Sequence, residues 1–306
     1  MSRKRIGLAL SGGAAKGLVH VGVIKGLLHL GVPVDCIAGT SAGSLVGALV
    51  AAAMTPEEIE KLARATRWRD VVRPVLPRAG LLDSTRLERF LQTHLGGRVI
   101  EDLAIPYAAV ACDLRTGRRV TITRGPLARA VRASCAVPGI FRPVEIDGRL
   151  LVDGGVCCNV PTAVPRELGA DFVIAVDLSG DLGSAPARWN IFAVMLRSWE
   201  IMQREKRAAE VSGADVLIRP PVAGLSLIDL DSVDDYVRVG WEAALAHREA
   251  LADLMEKAAD RSLFYYLNPR QWTRRGSSGR RSSGRRAGRT AGGSDPPPGR
   301  REPPLA

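Results

Sequence analysis

The chain has 306 residues, a formal net charge of +11 and 46% apolar residues, enough to bury a large core. Ten arginines against two acidic residues place +8 of that charge in residues 268–306, which leaves +3 for everything before them. The total charge therefore gives no reason to class the folded part as a nucleic-acid-binding protein. Five cysteines without any C-x-x-C spacing argue against a disulfide framework and against a zinc site.

The composition divides the chain at residue 268. We expect residues 1–267 to form one folded domain. Residues 268–306 are rich in Arg, Gly, Ser and Pro, and such a segment buries too little apolar area to offset the entropy lost on ordering. They are predicted to be a disordered basic tail.

Neither a membrane span nor a signal peptide is expected. No apolar run reaches the roughly 18 residues that a spanning helix needs. The apolar run near the start, residues 6–10, is shorter than the about 7 to 15 residues of a signal-peptide core. With its cysteines reduced, the protein is expected to be cytoplasmic.

The first 54 residues alternate two short apolar runs with two helical patterns. "RIGLAL" predicts a buried strand, which the turn "SGGAAKG" joins to a helix ending near Gly31 and Pro33. "VDCIAG" predicts a second strand, and "SAGSLVGALVAAAM" predicts a central helix because it is apolar on nearly every side. This order favours parallel strands with right-handed crossovers.

The later segments predict further strands and helices. "TPEE" and "DSTRLERFLQTHLG" are typical of helix starts, "PYAAVACDL" and "RRVTITRG" of strands, and "LARAVRASCAVPG" of a helix up to Pro138. "VEIDGRLLVDGG" predicts a hairpin that leaves Asp153 at the end of a strand. "DFVIAVDLS" and "ADVLIRPPV" predict strands around a helix at about residues 190–210. "VDDYVRVGWEAALAHREALADLMEKAAD" predicts one long amphipathic helix on the outside.

The glycine-rich turn at residues 11–17 is the first candidate site. Backbone N–H groups at the start of a helix, together with the helix dipole, can hold a phosphate or an oxyanion. The turn is neither a Walker A sequence nor G-x-G-x-x-G, since residue 14 is alanine. Taken alone, the turn is more readily explained as a purely structural link.

The second candidate is G-x-S-x-G at residues 39–43, which places Ser41 between a predicted strand and a predicted helix. The pattern is short enough to occur by chance, but this context is that of a nucleophile elbow. Both glycine-containing turns follow parallel strands, so they are expected to open at the same edge of the sheet. Oxyanion donors would then lie beside the serine.

A serine nucleophile also needs a base, and none of the four histidines is well placed. The chain order Ser41, Asp153, His247 would suit a hydrolase triad, but His247 lies in mid-helix and is expected to be solvated. His20 is expected to pack rather than to catalyse. Asp153, at a strand end before two glycines, is the better candidate, so the residues favour a Ser–Asp dyad.

Four sequence blocks together carry a family resemblance. They are "LALSGGAAKGLVHVGVIKGL", "VDCIAGTSAGSLVGAL", "RASCAVPGIFRPVEIDGRLLVDGGVCCNVP" and "DFVIAVDLS", in this order over about residues 5–180. With them the chain resembles a patatin-like phospholipase of the compact bacterial kind. The resemblance implies a three-layer α/β/α fold with a mainly parallel central sheet. It also implies hydrolysis of (phospho)lipid or other carboxylic esters, with no metal and no cofactor.

The resemblance assigns roles to individual residues. It implies Ser41 as the nucleophile, Asp153 as the proton acceptor and an oxyanion hole built from Gly12, Gly13 and Ala14. The family usually has glycine at the position of Ala14. An alanine still has the backbone N–H, so the donor is kept provided that the backbone needs no positive φ there. The supporting motif residues are Lys16, Gly17, Gly39, Gly43, Gly154 and Gly155.

Lys16 stands where the family commonly has arginine. It keeps the positive charge but loses the planar fork of a guanidinium.

Two alternatives remain open. A non-catalytic regulator or adaptor could keep the fold and bind an acyl ligand, which Ala14 favours and the intact pair of Ser41 and Asp153 opposes. The basic tail could bind RNA or an anionic membrane by charge, although charge runs are usually solvated tails. A peripheral contact of the tail with an anionic membrane is kept as a hypothesis, and nucleic-acid binding is not expected. Residues 66–84 are a candidate border of the pocket. Acyl chain, head group and oligomeric state stay open.

Overall fold

The structure, a computed structural model of the chain, describes residues 3–74, 80–179, 189–223, 225–226 and 232–259. All of these belong to one compact unit. The predicted basic tail, residues 268–306, lies outside the described residues, so the boundary at residue 267 stays a prediction.

The described residues form ten strands and ten helices. The strands are β1 (Ile6–Leu10), β2 (Cys36–Thr40), β3 (Arg73–Pro74), β4 (Leu82–Asp83), β5 (Tyr107–Asp113), β6 (Arg119–Ile122), β7 (Val144–Ile146), β8 (Arg149–Asp153), β9 (Phe172–Val176) and β10 (Val216–Ile218). The helices are α1 (Leu18–His29), α2 (Ala42–Ala51), α3 (Pro56–Ala65), α4 (Trp68–Val71), α5 (Thr85–Leu95), α6 (Leu127–Ser134), α7 (Ala163–Glu167), α8 (Ile191–Val211), α9 (Val233–Ala246) and α10 (Arg248–Ala258). Short 3-10 turns cover Ala14–Gly17, Ile100–Asp102 and Gly154–Val156.

The central sheet is mainly parallel, as the sequence predicts. Its hydrogen-bonded order is β10-β9-β1-β2-β5-β8-β7, and β6 also pairs with β5. The run from β10 to β5 is parallel throughout, whereas β6, β7 and β8 are antiparallel to their neighbours. Strands β3 and β4 form a separate two-stranded ribbon.

The pairing along β5 brings the ends of two strands together. Ala111 pairs with both β6 and β8, so these strands lie on opposite edges of β5. Ala109 pairs with both β6 and β2, so β2 shares the edge of β8. Thr40 is opposite Val110, and Asp153 is opposite Ala111, the next residue. The carboxyl ends of β2 and β8 therefore meet head to head.

Helices cover both faces of the sheet, which makes the three layers. Successive strand residues point to opposite faces. In β1, Leu8 and Leu10 join the large core with Val19 and Leu27 of α1, while Ala9 joins a smaller cluster on the other face. The predicted α/β/α architecture is confirmed.

Helices α1 and α9 pack against each other so closely that glycine is needed on each. A Cβ on Gly22 would overlap the backbone of α9 at Val237, and one on Gly240 would overlap α1 at Val19. The prediction of one long helix over residues 233–260 is wrong, because the backbone departs from helical geometry at His247. No glycine or proline marks the break.

Helix α6 ends at Ser134, four residues before Pro138, so the predicted extent of this helix is also wrong. The residue before a proline is driven out of the helical region, so the helix must end ahead of it. The predicted helix start at Thr55 is confirmed by a full capping box with Glu58. No helix within the described residues is long and apolar enough to cross a membrane.

Candidate active site

Ser41 lies on a sharp turn between β2 and α2. Its φ of 52° and ψ of −124° fall in a backbone region that residues other than glycine rarely adopt, and this conformation costs about 1 to 3 kcal/mol. A Cβ on Gly39 would overlap the backbone of Gly43, and one on Gly43 would overlap the carbonyl of Leu10. The two glycines of G-x-S-x-G are thus required by the tightness of the turn, which is the geometry of a nucleophile elbow.

Ser134, at the end of α6, fixes this turn from the side. Its hydroxyl accepts a hydrogen bond from the N–H of Ser41 at 2.9 Å and donates one to the carbonyl of Val110 at 2.6 Å. Ser134 is fully buried. One side chain therefore joins the elbow to the central strand β5.

Asp153 ends β8 and is 1% exposed. Its Oδ1 accepts the N–H of Gly155 at 2.8 Å, and its own N–H donates to the carbonyl of Ala136 at 2.9 Å. Burial raises the pKa of Asp153, and the nearby Ser41 hydroxyl and the Gly155 N–H lower it in part, so that it settles at about 6.

Ser41 is near enough to act on the charge of Asp153, but a formed hydrogen bond is not in place. The buried Oδ2 of Asp153 has no hydrogen-bond partner among the described residues. Such contacts are often loose in an empty site and tighten when a substrate binds. The carboxyl oxygen Oδ2 of Asp153 is therefore a buried acceptor near Ser41 without a partner in the described part of the chain.

The two glycines after Asp153 are required by close neighbours on both sides. A Cβ on Gly154 would overlap the carbonyl of Val110. A Cβ on Gly155 would lie 2.8 Å from Cζ2 of Trp199, because α8 passes directly over this turn. Gln203 of α8 also donates to the carbonyl of Gly155. Helix α8 thus holds the turn that carries the aspartate.

The glycine-rich turn approaches the serine from β1. A Cβ on Gly12 would lie 3.2 Å from the Cβ of Ser41. The N–H of Gly12 already donates to the carbonyl of Asn159 at 3.3 Å, whereas those of Gly13 and Ala14 have no hydrogen-bond acceptor among the described residues. Of the three predicted oxyanion donors, two are therefore available.

Ala14 has a φ of 48°, which is the left-handed region that favours glycine. Alanine would replace glycine here without strain only if the backbone had a negative φ, and it does not. Left-handed backbone costs a residue with a Cβ about 1 to 2 kcal/mol. The loop accepts this strain, and the methyl group of Ala14 becomes part of the cavity wall beside Ser41.

Buried polar groups hold the glycine-rich turn from behind. The hydroxyl of Ser11 accepts the N–H of Leu178 at 2.9 Å, and a ring nitrogen of His20 lies 2.8 Å from the carbonyl of Ser11. Burial lowers the pKa of His20 to about 4, so the ring is neutral and its Nε2–H is the donor. The expectation that His20 packs rather than catalyses agrees with this arrangement.

Lys16 and Gly17 extend the turn into α1. Gly17 packs on Ala42, the residue after Ser41, in a space where a Cβ would overlap. Burial lowers the pKa of Lys16, and the charge of Glu200 on α8 opposes that change. Lys16 is therefore a half-buried cation between the turn and α8.

An apolar cavity of about 220 Å³ opens beside Ser41. Trp68 and Val71, from the segment expected to border a pocket, are part of its wall, while residues 75–79 of that segment lie outside the described residues. The cavity extends between the elbow and the helices α3 and α5. The apolar side chains that line it include Leu45, Val46, Leu49, Ile59, Leu62, Leu87, Phe90, Val137 and Phe141.

The described residues contain no cluster of three or more His, Cys, Asp or Glu side chains with which to hold a metal ion. His247, the alternative base, was expected in mid-helix but lies at the break between α9 and α10, where its ring hydrogen bonds to the carbonyl of Ala243 in α9. The candidate site therefore brings together one serine, one carboxyl group and backbone N–H groups.

The sequence profile of the patatin-like phospholipase family matches residues 8–165, which is half of the chain and includes both Ser41 and Asp153. The chain belongs to this family.

Individual relatives share the same region. An uncharacterised NTE family protein of Mycobacterium tuberculosis is 40% identical over 190 residues, which is 61% of this chain and 52% of that protein. Lysophospholipase NTE1 of Coccidioides immitis is 30% identical over 270 residues, 78% of this chain and 17% of its own length. VipD of Legionella pneumophila, a solved structure, superposes with a TM-score of 0.47 at 13% identity over 81% of this chain and 67% of VipD. The chain thus spans about half the length of its mycobacterial relative.

Sequence reasoning missed Ser134 and the contacts of α8. Ser134 lies in "RASCAVPG", a block that carries the family resemblance but in which the serine had no role. Trp199 and Gln203 lie in a helix that was predicted, but nothing local to them indicates a contact with Gly155.

Proposed function

We propose that the protein is a serine acyl hydrolase that cleaves carboxylic ester bonds of lipids through a Ser41–Asp153 dyad. The observation that carries this proposal is the position of both groups. Ser41 lies on a strained elbow beside a buried carboxyl group, at the head of an apolar cavity. The name of the fungal relative, a lysophospholipase, supports a lipid ester as the substrate class.

In the first step Asp153 takes the proton of the Ser41 hydroxyl, and the serine oxygen attacks the ester carbonyl. A carboxylate in water is a weak base, but burial raises the pKa of Asp153 to about 6, closer to the pH at which it works. At neutral pH most of the carboxyl groups are still ionised. The group is therefore both available and more basic than an exposed aspartate.

The charge that develops on the carbonyl oxygen is held by the N–H groups of Gly13 and Ala14. One donor of this kind is worth about 3 kcal/mol, or roughly 100- to 1,000-fold in rate. The N–H of Ser41 takes no part because it is bonded to Ser134. The N-terminus of α2 adds a favourable dipole.

The acyl chain lies in the cavity, where it displaces water from apolar walls, and the alcohol leaves toward solvent. Asp153, protonated in the first step, gives its proton to the departing alcohol. A water molecule activated by the same carboxylate then hydrolyses the acyl-serine ester. Each proton that the carboxyl group takes up is returned within the cycle.

The experiment is labelling of the purified protein with a fluorophosphonate probe, which reacts only with an activated serine. We expect labelling of the wild type, none in Ser41→Ala, and a loss of at least roughly 100-fold in Asp153→Asn, since removal of a general base costs 10²- to 10⁴-fold. Heat-unfolded wild type is the control for non-specific reaction.

Two results would count against the proposal. Full labelling of Asp153→Asn would show that Ser41 is activated without Asp153 and would refute the proposed dyad. No labelling of folded wild type would favour the non-catalytic acyl-binding adaptor, which the strained Ala14 supports.

A further inference from the structure

Helix α8 lies across the edge of the sheet at which the proposed active site opens. Its inner face contacts the turn after β8 through Trp199 and Gln203. Further along, Arg207 forms an ion pair of 2.6 Å with the buried Asp177, just beyond the end of β9. The opposite face of α8 therefore points outward, away from the carboxyl edge of the sheet.

This outward face of α8 carries several large apolar side chains over residues 191–202. Exposed large apolar side chains occur eight times among the described residues, and five of the eight are on α8 or just before it. The four on the helix have the spacing of one helix face, and the fifth, Trp189, lies just before the helix. They are Trp189, Ile191, Val194, Ile201 and Met202, and all are between 48% and 65% exposed.

The apolar face continues toward the cavity beside Ser41. Met195 of α8 packs on Gly139, and the residues on either side of that turn, Val137 and Phe141, line the cavity wall. Trp68, which is 40% exposed, belongs to the same wall. Exposed apolar side chains are normal when single, but a contiguous group beside a binding cavity marks an interaction surface.

We propose that the outward face of α8 docks on the surface of a lipid bilayer and so places the cavity mouth against membrane-held acyl esters. This inference rests on the proposed function for its substrate. A helix with Trp and aliphatic side chains on one face, lying flat, is the usual form of an interfacial membrane contact.

A bilayer fits this face better than a protein partner does. Residues 189–202, which include all five exposed apolar side chains, contain two charged residues, Arg197 and Glu200, and these form an ion pair with each other at 3.3 Å. This stretch therefore carries no net charge that would repel the phosphates of a lipid surface. A bilayer also supplies the acyl chain that the cavity is shaped to receive. A second copy of the chain would occupy the same face without providing a substrate.

The test is co-sedimentation of the full chain with neutral phosphatidylcholine vesicles at about 0.5 M salt, where surface charge is screened to a few ångströms. We expect the wild type to bind and the double variant Ile191→Asp/Ile201→Asp to bind at least roughly tenfold less, since it loses two apolar contacts. Both positions are exposed, so the fold should tolerate the change, which circular dichroism and the melting temperature will verify.

The matched control is Leu28→Asp. Leu28 is 58% exposed, and it lies near the end of α1, at the opposite edge of the sheet. This variant should bind vesicles as the wild type does. Hydrolysis of a soluble short-chain nitrophenyl ester should be the same in all three proteins, because none of these residues lines the cavity.

Several outcomes would overturn the docking proposal. Absence of vesicle binding by the wild type, or equal binding by the double variant, would do so. So would a dimer in light scattering that the double variant abolishes while its vesicle binding is unchanged, which would make the face a protein interface. Failure of the wild type to hydrolyse the soluble ester would instead refute the proposed function. The vesicle experiment would then still test membrane docking by itself.

Discussion

At the level of single residues, the site combines two requirements that oppose each other. Asp153 must be ionised to act as a base, yet it is buried, and burial penalises the ionised form. A pKa of about 6 against an ordinary value of 3.8 means that the folded protein holds the proton more tightly than the unfolded chain does. The carboxyl group therefore destabilises the fold at the pH at which it would work.

The replacement Asp153→Asn should therefore stabilise the protein, and more so at high pH. Between about pH 4 and pH 6 the folded wild type binds more protons at this residue than the unfolded chain, so its stability falls as the pH rises through this window. The neutral amide has no such dependence. We expect the gain in unfolding free energy to be about 2 kcal/mol larger at pH 8 than at pH 4.5.

Urea unfolding of both proteins at the two pH values measures this difference. Ser41→Ala leaves the carboxyl group in place, so its unfolding free energy should vary with pH as that of the wild type does. The difference between this variant and the wild type should therefore be nearly the same at both pH values. An Asp153→Asn gain that is the same at pH 4.5 and pH 8 would mean that the native carboxyl group titrates normally.

Ala14 shows at the same scale what a sequence does not reveal. Its residue type was visible, and so was its departure from the family pattern, but the consequence depended on one dihedral angle. That angle is a φ of 48°, and the turn that carries it also contacts residues far away in the chain, such as Asn159, whose carbonyl accepts the N–H of Gly12. A local pattern carries no information about such a contact.

At the level of elements, β5 is the strand that assembles the site. Both β2, which leads into Ser41, and β8, which ends in Asp153, pair with the same edge of β5. The sequence predicted all three strands, because alternation and apolar runs are local signals. It did not predict that β2 and β8 share an edge, since register is decided by pairing over long distances along the chain.

Helix α6 is fastened to this assembly through Ser134, which suggests a test of positioning. Ser134→Ala leaves the N–H of Ser41 and the carbonyl of Val110 without this partner, at about 1 to 3 kcal/mol for each buried group left unsatisfied. The elbow would then move more freely against Asp153. We expect kcat for a soluble ester to fall at least roughly tenfold with KM little changed, because only the reacting geometry is affected.

Ser44→Ala is the matched control for this prediction. The hydroxyl of Ser44 also bonds the elbow, at the carbonyl of Ser41, but the N–H groups of Ser44 and Leu45 already satisfy that carbonyl. Its loss should leave kcat within about twofold of wild type. An equal loss of kcat in both variants would show that Ser134 contributes only general stability.

At the level of the whole molecule, the fold was largely predictable and the surface was not. The order of strands and helices, the parallel sheet and the meeting of both glycine-containing turns at one edge follow from patterns within about 20 residues. The break at His247 and the outward apolar face of α8 do not, because each depends on what the neighbouring elements leave uncovered. The proposed docking on a membrane depends on such uncovered surface, which local sequence patterns do not reveal.

The basic tail belongs to the same scale, and its contribution can be separated from that of α8. Residues 268–306 carry a net +8, and each basic residue near an anionic membrane contributes about 1 kcal/mol. Truncation after residue 267 should lower binding to vesicles that contain anionic lipid at low salt, while hydrolysis of a soluble ester stays the same.

Salt distinguishes the two contributions. The effect of the truncation should disappear at about 0.5 M salt, where charges are screened, whereas the effect of the apolar substitutions on α8 should persist there. Stable anchoring generally takes two weak signals acting together, and an apolar face with a basic tail is one such pair. Equal binding of full-length and truncated protein to anionic vesicles at low salt would show that the tail serves no membrane role, and the apolar face of α8 would then have to act alone.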